Sequence, residues 1–82
     1  MSIDYSKLRS LTARKLISVL IKDGFYLDRE SGSHQQFIHP RKGRVTISFH
    51  HPSDTFPPKT LKGIIKDAGW TEEDLKRLGL LK

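Results

Sequence analysis

The sequence predicts an α+β domain in which helices cover one face of a three-stranded antiparallel sheet, in the order α-β-β-β-α with a further short C-terminal helix. Two segments with apolar residues at i, i+3, i+4 and i+7 flank a central region in which apolar and polar residues alternate. The chain has 82 residues, of which 35% are hydrophobic and 29% charged. This length supports one small core, so we expect a single domain over residues 1–82.

The first helix is predicted to begin after Thr12, a suitable N-cap, and to end at Gly24. Its apolar stripe consists of Ala13, Leu16, Ile17 and Leu20.

Three strands are predicted to follow, at residues 25–30, 34–39 and 45–50. In the first of them Phe25, Leu27 and Arg29 alternate with Tyr26, Asp28 and Glu30, which predicts two different faces.

The loop between the second and third strands is predicted to comprise residues 41–43, with its glycine in the last, left-handed position. This loop places Phe37 opposite Ile47 on one face of the sheet and His34 opposite His50 on the other.

The second long helix has Pro58 near its first turn and ends at Gly69. Thr71 and Asp74 then form a capping box for a last short helix. The apolar stripe of the second long helix consists of Leu61, Ile64, Ile65 and Ala68.

Both long helices are expected to pack on the apolar face of the sheet, which leaves the opposite face open. Polar side chains that the core does not require are expected there. They are His34, Gln36, Thr46, Ser48 and His50.

Composition restricts the function. Fifteen lysines and arginines against nine acids give a net charge of +6, which attracts polyanions such as nucleic acid, an anionic membrane surface or an acidic protein. No apolar run is long enough to span a membrane and the first ten residues lack the apolar block of a secretory signal, so we expect a cytoplasmic protein. The absence of cysteine excludes disulfides, thiolate zinc sites and thiol catalysis.

Two groups of cations are candidates for phosphate binding. Lys59 and Lys62 lie near the N-terminus of the second long helix, opposite its apolar stripe, where free backbone N–H groups favour an anion. Arg41, Lys42 and Arg44 lie at the hairpin tip, from which they could reach an RNA backbone. An ordinary solvated helix face and a charged turn that discourages aggregation explain the two groups equally well.

The four histidines are candidates for a zinc site, but no carboxylate or thiolate has a matching spacing and His39 is predicted on the other face. We therefore expect no metal and no cofactor. His34 can exchange a proton near neutral pH with a ribose 2′-hydroxyl or a departing 5′-oxygen, and Gly32 would let the backbone approach a phosphate. A surface histidine without function is the alternative.

Several motifs in order carry a resemblance to a known family: GSH at 32–34, Phe37, HP at 39–40, RVTI at 44–47, His50 and TLKGIIKDAGW at 60–70. From about Thr12 to Leu81 the chain resembles the HicA family of small toxins, from HicA/HicB toxin-antitoxin systems. The resemblance implies a fold like a double-stranded-RNA-binding domain, an endoribonuclease activity that cleaves mRNA, and inhibition by a HicB-type antitoxin that covers the active site.

The resemblance assigns the catalytic role to His34, the histidine of GSH. Two positions depart from the family pattern: Gln35, where a second histidine is common, and Lys59, where a glycine is common. Gln35 argues against a mechanism with two adjacent histidines. His50 is predicted to bind phosphate or to serve as a second proton-transfer group.

The predicted site therefore consists of catalytic His34 and a set of RNA-binding residues, with no metal. The RNA-binding residues are Gly32, Ser33, Arg41, Lys42, Arg44, His50, Lys59 and Lys62. Two other functions stay open: a module that binds structured RNA without cutting it, and an interaction protein whose basic surface meets an acidic partner.

Overall fold

A computed structural model describes residue 3 and residues 5–81 of the chain. Its elements confirm the predicted α+β class and order, and a short 3-10 helix that the sequence pattern did not predict precedes them. They are the 3-10 helix Tyr5–Leu8, α1 (Ala13–Lys22), β1 (Tyr26–Ser31), β2 (His34–His39), β3 (Gly43–Ser48), α2 (Pro58–Ala68) and α3 (Glu72–Arg77).

Four residues of the predicted domain, Met1, Ser2, Asp4 and Lys82, lie outside the described residues. Among the helices of residues 3 and 5–81, none combines the length and the apolar character needed to cross a membrane.

The helix ends follow the predicted capping. The Thr12 hydroxyl accepts a hydrogen bond from the Lys15 amide at 3.2 Å, which satisfies a free N–H of the first turn of α1. Gly69 ends α2 in the left-handed conformation, with φ of 71°. Thr71 and Asp74 form the reciprocal capping box of α3, each side chain bonding to the backbone amide of the other.

The sheet has the order β1-β2-β3 and is antiparallel throughout. The predicted register of the second hairpin was wrong by two residues. Phe37 lies opposite Val45 rather than Ile47, and His34 opposite Ser48 rather than His50. The cause is that the connecting loop comprises residues 40–42, because the glycine at 43 already pairs with β2. Since side chains alternate with a period of two, every residue keeps its predicted face.

A β-bulge interrupts β1 between Leu27 and Arg29. Leu27 lies opposite Phe37 and Arg29 opposite Gln36, so Asp28 is an extra residue without a partner position on β2. The bulge reverses the alternation beyond it. Arg29 therefore shares a face with Tyr26, whereas simple alternation predicted opposite faces.

The core lies between the helices and one face of the sheet. From the sheet, Phe37, Val45 and Ile47 are at most 1% exposed. The two long helices contribute the buried residues Ala13, Leu16, Val19, Leu20, Leu61, Ile64, Ile65 and Ala68. Burial of each such large apolar side chain stabilises the fold by about 1.5–3 kcal/mol. No helix within residues 5–81 covers the other face, whose paired side chains are exposed or half-buried; it is called the open face below.

Candidate functional site

The register places nine side chains on the open face, in three rows that run across the strands. Directly opposite residues share a face, and successive rows are two residues apart on β2 and β3, about 6.6 Å along a strand. The first row consists of Ser31, His34 and Ser48, the second of Arg29, Gln36 and Thr46, and the third of Tyr26, Ile38 and Arg44. None of the nine is acidic.

His34 is exposed and lies at the start of β2, in the centre of the first row. Serines flank it on both sides, Ser31 on β1 and Ser48 on β3. The Ser48 hydroxyl also lies 3.4 Å from that of Ser33. The imidazole is thus open to a substrate and surrounded by hydroxyl groups that can hydrogen-bond to a phosphate or ribose.

The segment before His34 is a tight turn. Ser31 is the last residue of β1 and pairs with His34, so only Gly32 and Ser33 form the loop. Gly32 has φ of 58°, while Ser33 does not have a positive φ, as in a type II′ hairpin turn. A Cβ at Gly32 would meet nothing within 4 Å, so the space in front of this turn is open. A two-residue turn therefore sets where β2 and His34 begin.

The hairpin tip lies at the other end of β2. Five residue steps separate His39 from His34, which corresponds to about 17 Å. The Nδ1 atom of His39 accepts hydrogen bonds from the amides of Arg41 and Lys42, at 3.0 and 3.2 Å, and so stabilises the turn. His39 lies on the face opposite to His34, as predicted. The cations of the tip and His34 form no compact cluster, and only an extended ligand could touch both.

Asp23 binds one of the predicted RNA contacts. Its carboxylate accepts hydrogen bonds from Lys42 Nζ at 2.6 Å, Trp70 Nε1 at 2.8 Å and an Arg77 guanidinium nitrogen at 2.9 Å. Burial by itself would raise the pKa of Asp23, but these hydrogen bonds outweigh it and lower the pKa from 3.8 to about 2. Lys42 therefore forms an ion pair with Asp23 in the free protein, and Asp23 connects the end of α1, the hairpin tip, Trp70 and α3.

His50 lies beyond the end of β3, in a loop that Asp54 orders. The Asp54 carboxylate accepts hydrogen bonds from the amides of His50 and His51, at 3.0 and 3.1 Å. These two bonds hold the pKa of the Asp54 carboxyl below its usual value. The Ala13 amide donates to the Asp54 carbonyl at 2.8 Å, so the loop is also tied to the start of α1. His50 is exposed and lies at the same end of the hairpin as His34, but not opposite it.

Lys59 and Lys62 are exposed on α2, which packs on the covered face of the sheet and contacts β3. The N-cap residue Pro57 makes no side-chain hydrogen bond to the first turn, so backbone N–H groups there are free of a side-chain cap. The two lysines do not share the open face with His34. A ligand that contacts both groups must pass around the β3 edge of the sheet.

Sequence reasoning missed Arg29 and Tyr26 as residues of the open face. The β-bulge places Arg29 on the open face, and the alternation of apolar and polar residues in β1 does not indicate a bulge. Tyr26 is 52% exposed although it is large and aromatic, a property that sequence alone does not give. Across residues 3 and 5–81, no group of three or more His, Asp or Glu side chains is arranged to hold a metal ion.

The element order and the open antiparallel sheet define a small α+β domain of the type that double-stranded-RNA-binding domains also adopt. A family model described as the HicA toxin of bacterial toxin-antitoxin matches residues 13–70, more than half of the chain. The chain therefore belongs to the HicA toxin family. The curated proteins contain no significant match to the sequence.

Proposed function

We propose that the chain is a cytoplasmic toxin of a type II toxin-antitoxin system that cleaves mRNA, with His34 as its proton-transfer group. The observation that carries the proposal is the position of His34, exposed between two serines on an open face whose nine paired residues include two arginines and no acid. Membership of the HicA toxin family supports the toxin assignment. A HicB-type antitoxin is the proposed partner that neutralises it.

The proposed reaction is transesterification by the neighbouring ribose. The 2′-oxygen attacks the adjacent phosphorus, the bond from phosphorus to the 5′-oxygen breaks, and the products carry a 2′,3′-cyclic phosphate and a 5′-hydroxyl. His34 takes the proton of the 2′-hydroxyl or returns one to the departing 5′-oxygen. This chemistry requires neither a metal nor a covalent intermediate with the protein.

The proposed RNA contacts fall into three groups. Gly32 and Ser33 lie in the turn next to His34, where the open space would let a phosphate approach the backbone. Arg41 and Arg44 would bind phosphates toward the other end of β2, where Lys42 contributes less because Asp23 already binds it. Lys59 and Lys62 would bind a strand that continues around the β3 edge to the first turn of α2.

The first test measures cleavage of single-stranded RNA by the purified protein in the presence of a metal chelator. We expect His34→Ala to lower the cleavage rate by about 100-fold or more, because general acid–base catalysis contributes about 10²–10⁴-fold. A substrate with 2′-deoxyribose at the cleaved position should resist cleavage. His51→Ala is the matched control, because His51 is equally exposed but is assigned no role. Full activity of folded His34→Ala protein would refute the assignment.

The same assay separates the two proposed roles of His50. If His50 is the second proton-transfer group, His50→Ala lowers kcat and removes one limb of the pH profile. If it binds phosphate, the substitution raises KM and leaves the pH profile unchanged. RNA binding that persists without any cleavage, and is insensitive to His34→Ala, would instead identify a non-catalytic RNA-binding module.

The antitoxin is tested in cells. Induction of the chain should arrest growth, and His34→Ala should relieve the arrest. Co-expression of an antitoxin-like reading frame from the adjacent coding sequence should also restore growth. The protein that this reading frame encodes should co-purify with the toxin. Growth arrest that is unchanged by His34→Ala would contradict the proposed mechanism.

A further inference from the structure

We propose that the third row of the open face is a base-stacking subsite for single-stranded RNA, in which a base lies on the ring of Tyr26. The inference rests on the proposed function, since it takes the strand cleaved at His34 as the occupant of this face. It concerns a different part of the sheet, four residues along β2 from His34, about 13 Å away.

The exposure of Tyr26 is the first observation. A tyrosine in a strand usually buries most of its ring, yet this one is 52% exposed and faces solvent from the open face. Ile38, directly opposite on β2, is half-buried and forms an apolar surface beside it. An exposed aromatic ring next to an aliphatic side chain on a flat sheet offers the contact that the face of an unpaired base requires.

The distribution of charge is the second observation. Arg44 ends the third row on β3, and Arg29 lies in the middle row next to Tyr26 along β1. Within residues 3 and 5–81, neither arginine has an acidic partner in an ion pair. Two cations without an ion pair therefore lie on either side of the line that joins Tyr26 to His34, Arg29 next to the ring on β1 and Arg44 two strands away on β3. This arrangement complements a phosphate backbone that runs along the sheet.

The continuity of the face is the third observation. The three rows follow one another without an acidic residue, from the ring of Tyr26 to the imidazole of His34. A strand held by its base at Tyr26 would cross the middle row and present a phosphodiester at the first row. Only a single strand can bind in this way, because the bases of a duplex are stacked on each other and expose their edges rather than their faces.

Binding is tested in the His34→Ala protein, so that the RNA stays intact. We expect Tyr26→Ala to weaken binding of a short single-stranded oligoribonucleotide, measured by fluorescence anisotropy, by about 5- to 150-fold. Tyr26→Phe should retain the affinity, because the ring remains. Leu27→Ala is the matched control: Leu27 is 47% exposed on the same strand but lies on the other face, so its loss should not change the affinity. Binding of a duplex of the same sequence should not respond to Tyr26→Ala.

Unchanged single-strand affinity in folded Tyr26→Ala protein would overturn the subsite and leave this face to a protein partner. Cleavage assays with His34 intact keep the two proposals distinguishable. A dinucleotide has only one phosphodiester, which must lie at His34, so Tyr26→Ala should slow its cleavage less than that of a longer strand. If cleavage depends on His34 but is independent of Tyr26 for substrates of every length, the result supports the proposed function and refutes the subsite. Loss of affinity in Tyr26→Ala protein, without cleavage by the unmodified chain, supports the subsite and refutes the proposed function.

Discussion

Replacement of Asp23 by asparagine removes a largely buried negative charge and keeps the shape of the side chain. The carboxylate is 7% exposed and binds Lys42, Trp70 and Arg77 at once. An asparagine has one carbonyl oxygen and no negative charge. It can accept the hydrogen bond from Trp70, but it cannot form ion pairs with Lys42 and Arg77. We therefore expect Asp23→Asn to destabilise the fold at neutral pH.

The size of the effect follows from the pKa. The pKa of Asp23 falls from 3.8 to about 2 on folding, which corresponds to about 2.4 kcal/mol. The side chains of Lys42 and Arg77 are 29% and 54% exposed, so solvent screens part of this interaction. A loss of about 1–2 kcal/mol in the free energy of unfolding is expected, equivalent to a Tm about 4–16 °C lower for a chain of this size.

The pH dependence has a definite sign. Because the pKa of Asp23 is lower in the folded state, its contribution is fully present above about pH 4–5 and disappears as the pH falls through 3.8 toward 2. The difference in stability between the unmodified protein and Asp23→Asn should therefore be largest at pH 7 and small near pH 2. Other carboxylates also titrate in this range, but they do so in both proteins, so the difference isolates Asp23.

Urea unfolding at several pH values measures this difference. Trp70 is the only tryptophan, is 4% exposed and touches Asp23, so its fluorescence reports on unfolding, and far-UV circular dichroism provides an independent signal. Asp67→Asn is the matched control, because Asp67 is exposed on α2 and should change stability by less than about 0.5 kcal/mol. Equal stability of the two proteins at pH 7, or a difference that does not shrink at low pH, would refute the reasoning.

Three further predictions concern the backbone and the caps. Gly24→Ala should destabilise the fold by about 1–2 kcal/mol, because φ is 100° and a Cβ would lie 3.1 Å from His39 Nε2. Gly63→Ala should stabilise the fold by about 0.5–1 kcal/mol, because Gly63 lies inside α2 and its Cβ would meet nothing within 4 Å. A change of the same sign for both variants in urea unfolding would contradict this. Thr71→Ala should cost about 1 kcal/mol through loss of the capping box, and an unchanged unfolding midpoint would exclude a role for that cap. Asp54→Ala should lower the stability at pH 7, and this loss should disappear as the pH falls below the usual carboxyl pKa, because the lowered pKa of Asp54 reflects hydrogen bonds that the carboxylate accepts. Calorimetry at pH 7 and pH 3 measures the difference between the two proteins, and a difference that is larger at pH 3 would contradict the prediction.

The sequence was sufficient to predict the three α-helices and the three strands, though not the 3-10 helix, because their signals are local. Apolar spacing, Thr12 as N-cap and Gly69 as stop depend only on neighbouring residues, and all three are confirmed. The register also depended on whether Gly43 belongs to the loop or to β3, and the sequence pattern is compatible with both positions. An error of two residues left every residue of β2 and β3 on its predicted face, so His34 was still predicted on the open face.

The bulge in β1 and the pairing of Lys42 were beyond sequence reasoning for a different reason. Both depend on contacts between residues distant in the chain: the bulge on how β1 pairs with β2, and the ion pair on the meeting of Lys42 with Asp23. Alternation in β1 therefore predicted the wrong face for Arg29. The charge of Lys42 is evident from the sequence, but its ion pair with Asp23 is not.

Net charge is consequently a poor guide to where this protein would attract a polyanion. Asp23 binds Lys42 and Arg77 on the helical side, and Asp74 also binds Arg77, so these cations contribute little to the outer field. Arg29 and Arg44 belong to the nine paired residues of the open face, none of which is acidic, and have no ion pair within residues 3 and 5–81. The two arginines of the paired strand positions, neither of which has an ion pair within residues 3 and 5–81, therefore lie on the face that presents His34. If the open face binds RNA as proposed, these two arginines would hold the strand on the side of the sheet where His34 lies.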